Sequence, residues 1–267
     1  AAANTPDDAR RENACASAST AMNQAARASE SAVLLSGLNN SLRTGMDLMI
    51  RDMLQVGSGL PAGHVILIPS GVNATQMNIP GPPGTAFLTA AGDLDWNAVI
   101  PGPGLGPTIN GVATDVITFI TADNSFTDMP LTAITDTTID VAATNPSSGQ
   151  SINIQTGVDR ILEGQLLMLE KGSTTTLVQI TGVDHTNRRI TFANGDSLNL
   201  NQTAAAAGNV VALRAAAPPD TLSGGVIPTT ATRVRMITYY LDATVTNHPR
   251  LVRRINNGHK TTFDNTL

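Results

Sequence analysis

A single apolar stripe constrains this chain more than any other feature. Leu35, Leu38, Leu42, Met46, Met49, Ile50 and Met53 recur at three- and four-residue steps, the spacing that places side chains on one face of an α-helix. The helical pattern runs from about Ala18 to Val56, and Pro6-Asp7-Asp8 upstream is suited to opening a helix, since proline is tolerated in the first turn and acids complement the dipole there. Arg43, Asp47 and Arg51 lie at four-residue steps on another face, where opposite charges support one another. Gly57-Ser58-Gly59 and Pro61 end the pattern. Gly37 and Gly45 interrupt it, at about 1 kcal/mol each relative to alanine. A helix with one apolar face must bury that face against something.

Beyond Leu60 the pattern changes to strands and turns. Residues 64–112 contain Ile79-Pro80-Gly81-Pro82-Pro83-Gly84 and Ile100-Pro101-Gly102-Pro103-Gly104-Leu105-Gly106-Pro107. Such a stretch reads as long ordered loops, because proline cannot serve a helix interior or a central strand. Asp115–Ile120 is a good strand. Shorter strands are expected at Thr138–Val141, Ser151–Ile154, Gln165–Leu169, Thr175–Thr181, Arg189–Phe192 and Asn209–Arg214, with turns at Lys171-Gly172-Ser173 and Asn194-Gly195-Asp196. After a linker from Pro218 to Pro228, Thr232–Leu241 reads as a long strand, and Arg250–Asn256 returns beyond Asn247-His248-Pro249 as its hairpin partner. The division expected is a helix over 1–57, a loop-rich region with the first sheet strands over 58–127, an inserted β module over 128–215 and a C-terminal hairpin over 216–267.

Composition narrows the function. Charged residues make up 14% of the 267 and the net charge is −5, against about 25% charged in typical soluble domains. No basic field exists to draw in a phosphate backbone, so nucleic acid is not an expected partner. The longest apolar run, around Val65–Ile68, is far short of the ~20 residues that span a bilayer. Cys15 is the one cysteine, in an Ala/Ser run, and reads as a small helix residue.

Sites of chemistry are sparse. His64, His185, His248 and His259 form no metal-ligand spacing, and no Gly-x-Ser-x-Gly elbow occurs. The Gly/Pro loops lack the Gly-Lys-Ser/Thr of a phosphate loop. Asp123 and Asp128 are weak candidate metal ligands, without the spacing or glycine of an EF-hand loop. Asp93 and Asp95, near Trp96, read as a surface turn. Arg250, Arg253 and Arg254 form a local basic cluster with Lys260 nearby, expected as solvated strand faces. No enzyme activity and no cofactor are expected.

Three stretches in this order resemble the PilW/GspJ group of type IV pilin-like proteins. One is the helix end Leu42-Arg43-Thr44-Gly45-Met46-Asp47-Leu48-Met49-Ile50-Arg51-Asp52-Met53-Leu54-Gln55-Val56-Gly57, with its Arg51-Asp52 pair. Another is the Ile79–Pro107 region followed by Thr114-Asp115-Val116-Ile117. The third is Arg235–Leu241 with Tyr239-Tyr240, followed by Arg250-Leu251-Val252-Arg253-Arg254. The resemblance spans about residues 20–260. It implies an α+β pilin-like fold, an N-terminal amphipathic helix packed on an antiparallel sheet. It also implies a minor pilin that primes assembly of, or sits at the tip of, an extracellular type IV pilus or pseudopilus. Partners would be other minor and major pilins and a tip adhesin. Leu35, Leu38, Leu42, Arg51 and Asp52 would be the subunit-contact residues. Members of the group carry a hydrophobic N-terminal half-helix that anchors the precursor in the inner membrane. It is not among these residues, so the complete precursor is expected to supply it. Members also continue past the final hairpin into further sheet strands, whereas this sequence is expected to stop there. The alternative reading is a secreted β-rich adhesin or surface-binding module centred on 128–215.

Overall fold

A computed structural model of the chain describes residues 6–60, 66–81, 95–123, 128–157, 159–244, 249–256 and 259–263. The elements are α1 (Pro6–Leu54), β1 (Ile66–Leu67), β2 (Asp95–Trp96), β3 (Val99–Gly102), β4 (Thr108–Ile109), β5 (Val112–Ala113), β6 (Val116–Ala122) and β7 (Met129–Ile134). They continue with β8 (Thr138–Val141), β9 (Leu166–Lys171), β10 (Thr174–Gln179), β11 (Gly182–Asp184), β12 (Arg189–Thr191), α2 (Val210–Ala215), β13 (Thr230–Asp242), β14 (Arg250–Ile255) and β15 (His259–Phe263). The class is α+β, with one long N-terminal helix and a large, mostly antiparallel sheet. The chain divides into two compact units: one holds α1 up to Leu48, the other runs from Met49 to Thr262. Among the described residues, no helix is long and apolar enough to cross a membrane.

In the second unit, β13 organises the sheet. Its first residues pair with β9 on one edge (Thr230–Val234) and with β7 on the other (Thr230, Ala231). Its later residues pair with β14 (Ile237–Asp242) and β6 (Val234–Tyr239). β9 carries four consecutive apolar residues, Leu166 to Leu169, all buried. Alternate side chains on a strand face opposite ways, so such a run requires cover on both faces. Two cores meet that need: Leu167 and Leu169 join Met129, Ile161, Val178, Phe192 and Leu213, while Leu166 and Met168 join Ile68, Trp96, Ile120, Val234 and Tyr240.

Several expectations hold. The turn at Lys171-Gly172-Ser173 links β9 and β10 with Lys171 opposite Thr174. Gly172 has φ +60, and a Cβ there would lie 2.8 Å from the Ala217 carbonyl oxygen, so the first turn position is reserved for glycine. β14 is the antiparallel partner of β13. The segment 128–215, expected as an inserted module, supplies β7 to β12 and α2, but it is not set apart from the sheet, since its strands β7 and β9 pair directly with β13.

Others are corrected. Asn209–Arg214 is not a strand: Val210–Ala215 is helical, with Asn209 as its N-cap. The β-branched pair Val210-Val211 suggested a strand, but the Asn209 side chain accepts from the Ala212 N–H at 2.9 Å and starts a helical turn. Ser151–Ile154 forms only one bridge, Ser151 to Thr144. Asn153 accepts from the N–H groups of Gln155 and Thr156 and turns the chain instead. The Pro/Gly-rich region is not all loop. β3 pairs with β6 as an edge strand, where Pro101 is tolerable. β4 and β5 form a hairpin about Asn110-Gly111 with φ 50 and 79, the left-handed pair of a type I′ turn. Trp96, expected in a surface turn, is buried on β2; Asp93 lies outside the described residues. The chain does not stop at the hairpin either, since β15 pairs with β14.

Asn209 also donates to the carbonyls of Gln202 and Ala205, at 2.7 and 2.8 Å. Its replacement by alanine removes the cap and leaves buried carbonyls unmatched, so Asn209→Ala is expected to destabilise the protein by about 1–3 kcal/mol, read by chemical denaturation.

Candidate interaction site

Three stretches far apart in sequence meet at one buried carboxylate. Asp52 lies in the last turn of α1 and is 4% exposed. Tyr239, on β13, donates its hydroxyl to Asp52 Oδ2 at 2.7 Å. Arg253, on β14 directly opposite Tyr239 in the register, donates Nε to Oδ2 at 2.6 Å and Nη2 to Oδ1 at 3.1 Å. The guanidinium thus grips the carboxylate in a two-point fork, the strong form of such a pair. The Phe119 ring lies against Tyr239 at 6.2 Å between centroids.

This geometry explains the electrostatics. Burial raises the Tyr239 phenol above the ordinary tyrosine range, and the hydrogen bond and negative charge of Asp52 raise it further. For Arg253, burial works against the charge, but the hydrogen bonds and charge of Asp52 more than offset it and hold the guanidinium protonated. The turn after α1 is fastened by the same sheet: the Gly57 N–H donates to the Ile120 carbonyl and the Ala122 N–H to the Ser58 carbonyl. The arrangement is a clamp that fixes the end of a helix, with acid, base and hydroxyl all engaged with one another.

The other candidates fall elsewhere. Leu35, Leu38 and Leu42 are exposed along α1, at 61%, 49% and 45%; Val33, Leu34, Met46, Ile50 and Met53 are exposed too. Arg51 is exposed beside Asp52 in sequence but takes no part in the clamp. Arg43, Asp47 and Arg51 were expected to support one another, yet no ion pair joins them in the structure; exposed pairs of long side chains gain too little to be held. Cys15 lies within α1.

The metal reading of Asp123 and Asp128 is not supported by their surroundings. Asp123 is buried and bound by two guanidiniums, Arg233 Nη2 and Arg235 Nη2, each at 2.7 Å. A cation there would have to displace both. Asp128 accepts from the Thr232 hydroxyl. Among the described residues, no group of three or more His, Cys, Asp or Glu is placed to hold a metal. Nor is the Arg250–Arg254 cluster a solvated basic patch. Arg253 is spent on Asp52, Arg254 donates to the Gly81 carbonyl at 2.5 Å, and all three are half-buried. His64 and His248 lie outside the described residues.

The sequence singled out Asp52, the Tyr239-Tyr240 pair and Arg253 separately, without showing that they touch. The Asp123 pair was missed altogether. Its signal is two arginines two residues apart on one strand face, but only the β6–β13 register brings the acid to them.

No protein-family model, no curated protein and no solved structure matches the chain.

Asp52→Asn leaves Arg253 buried without its counter-charge and is expected to cost about 3–5 kcal/mol. Tyr239→Phe should cost about 1–2 kcal/mol. The clamp also has a pH signature. Below about pH 10 Tyr239 is protonated in both folded and unfolded chains and its contribution is full. Above that the unfolded chain ionises first, while the buried phenol keeps its proton, so stability falls as pH rises. Denaturation series from pH 8 upward should show a fall that is shallower in Tyr239→Phe.

Proposed function

We propose that this chain is a filament subunit of the type IV pilin-like class, acting as a minor pilin of the PilW/GspJ kind in an extracellular pilus or pseudopilus. The observation that carries the reading is the meeting of Asp52 with Tyr239 and Arg253, because these come from two of the three stretches that resemble that group. A helix of 49 residues with an exposed apolar stripe supports it further. Such a surface is costly to leave in water and serves to bury itself on neighbours. The α+β plan, a long helix followed by a mostly antiparallel sheet, is compatible with a pilin-type head. On this reading Asp52 and Arg253 fasten the last turn of the helix to the sheet, and Leu35, Leu38 and Leu42 face other pilins. The role is structural: acids and bases in the clamp neutralise each other rather than stand ready for proton transfer.

The test is copurification. The complete precursor, expressed with the pilin-like subunits of its own genome, should capture at least one of them. Leu38→Asp, at an exposed position, should leave the melting temperature within a few degrees and abolish capture. A precursor that captures no such subunit, or capture that survives charges at Leu35, Leu38 and Leu42 together, sinks the proposal.

A further inference from the structure

The described residues include two Asn-Gly steps, and the fold treats them in opposite ways. Asn110-Gly111 forms the tip of the β4–β5 hairpin, with both residues exposed. Asn194-Gly195 lies in the turns that follow β12. Asn257-Gly258 lies outside the described residues. Such a step carries its own reactants: the asparagine amide carbon is one ring closure away from the next backbone nitrogen, and glycine has no Cβ to block the approach.

At Asn110 that approach is open. The pairing of Ile109 with Val112 uses the N–H groups of those two residues and leaves that of Gly111 outside the ladder. A Cβ built on Gly111 would meet nothing within 4 Å, so solvent reaches the peptide. Among the described residues no hydrogen bond holds the Asn110 side-chain amide. Ring closure requires rotation of the Asn110 backbone out of its hairpin setting. The ladder that resists the rotation has two pairs and belongs to a sheet of its own, and a short exposed ladder opens readily.

Asn194 is held instead. Its amide donates to the Thr203 hydroxyl at 3.1 Å and accepts from the Thr203 N–H at 3.2 Å. The Ala193 N–H before it donates to the Thr181 hydroxyl at 2.8 Å, and the Ala193 carbonyl accepts from the Asn201 amide at 3.0 Å. Beyond it, Asp196 accepts from the N–H groups of Leu200 and Asn201 at 2.9 and 2.8 Å. Both the amide carbon and the backbone beside it would have to leave these partners before a ring could close.

We propose that Asn110-Gly111 is a self-modification site, which deamidates to a mixture of aspartate and isoaspartate while the fold protects Asn194. The only co-reactant is water. The Gly111 nitrogen gives its proton to solvent base and bonds to Asn110 Cγ; the Cγ–Nδ2 bond breaks and Nδ2 leaves as ammonia. The succinimide then takes up one water. Cleavage between Cγ and the Gly111 nitrogen yields aspartate. Cleavage between the Asn110 main-chain carbonyl carbon and that nitrogen yields isoaspartate, whose chain runs through Cβ and Cγ. Nothing is oxidised or reduced. Either product adds one negative charge to the tip, and isoaspartate also lengthens the main chain within a two-residue turn that fixes the register. The change stays local because the hairpin base is fastened separately: the Gly106 N–H donates to the Thr114 carbonyl and the Thr114 hydroxyl to the Pro107 carbonyl, both at 2.7 Å. The site is independent of the filament reading.

The full chain is kept for several weeks in mildly alkaline buffer, native and in urea. Peptide mapping by mass spectrometry follows each Asn-Gly step, and enzymatic methylation with labelled S-adenosylmethionine reports isoaspartate. In the native chain the Asn110 peptide should convert and take up label at least about tenfold faster than the Asn194 peptide, the scale of two retained hydrogen bonds. In urea the two rates should become similar. Asn110→Gln should remove the Asn110 signal, and Thr203→Ala should speed conversion at Asn194. The converted chain should keep its melting temperature within a few degrees. No conversion at Asn110, or equal conversion at Asn194 in the native chain, overturns the proposal. A difference that persists in urea, or an Asn194 rate unmoved by Thr203→Ala, overturns the protection by the fold. A larger fall in melting temperature overturns the confinement of the change to the tip.

Discussion

Everything in the sheet depends on the backbone pairing of one strand. β13 is 13 residues long, and each half has a different pair of neighbours: β7 and β9 first, then β6 and β14. A strand satisfied on both edges must be free of proline and must read as apolar on both faces where it is covered. Met236, Ile237, Tyr239 and Tyr240 meet that requirement, all buried within one short run. Because β6 and β7 lie along the same edge of β13, they act as one strand line interrupted by the excursion after Asp123. Two arginines of β13 hold that acid where the line breaks.

The clamp at Asp52 follows from this placement. A carboxylate buried at a helix end carries a large desolvation penalty unless it is paired and hydrogen-bonded. β13 and β14 supply the two partners from adjacent positions in register. Removing any one of the three leaves a worse state than never having had them. The helix end, the central strand and the last hairpin are therefore coupled energetically, although nearly 200 residues separate Asp52 from Tyr239 and Arg253 in sequence.

What was legible in the sequence was whatever depends on local pattern. The three- and four-residue repeat gave α1, and Val116–Ala122, β9, β10 and the β13–β14 hairpin were visible as apolar or β-branched runs between turn residues. What failed was decided by single side chains. Asn209 turned an apparent strand into a helix by capping it, and Asn153 bent another out of the sheet. Asn110-Gly111 made a hairpin inside what its prolines marked as loop. The clamp residues were each conspicuous, but their contact depends on strand register, which no local pattern specifies.

The position of β13 has a consequence for the order of assembly. Its partners β6, β7 and β9 all precede it along the chain, and none can be completed until Thr230–Asp242 is available. Contacts of such long sequence separation form slowly. A growing chain would therefore carry unpaired strand edges through most of its synthesis and close its core only near the end.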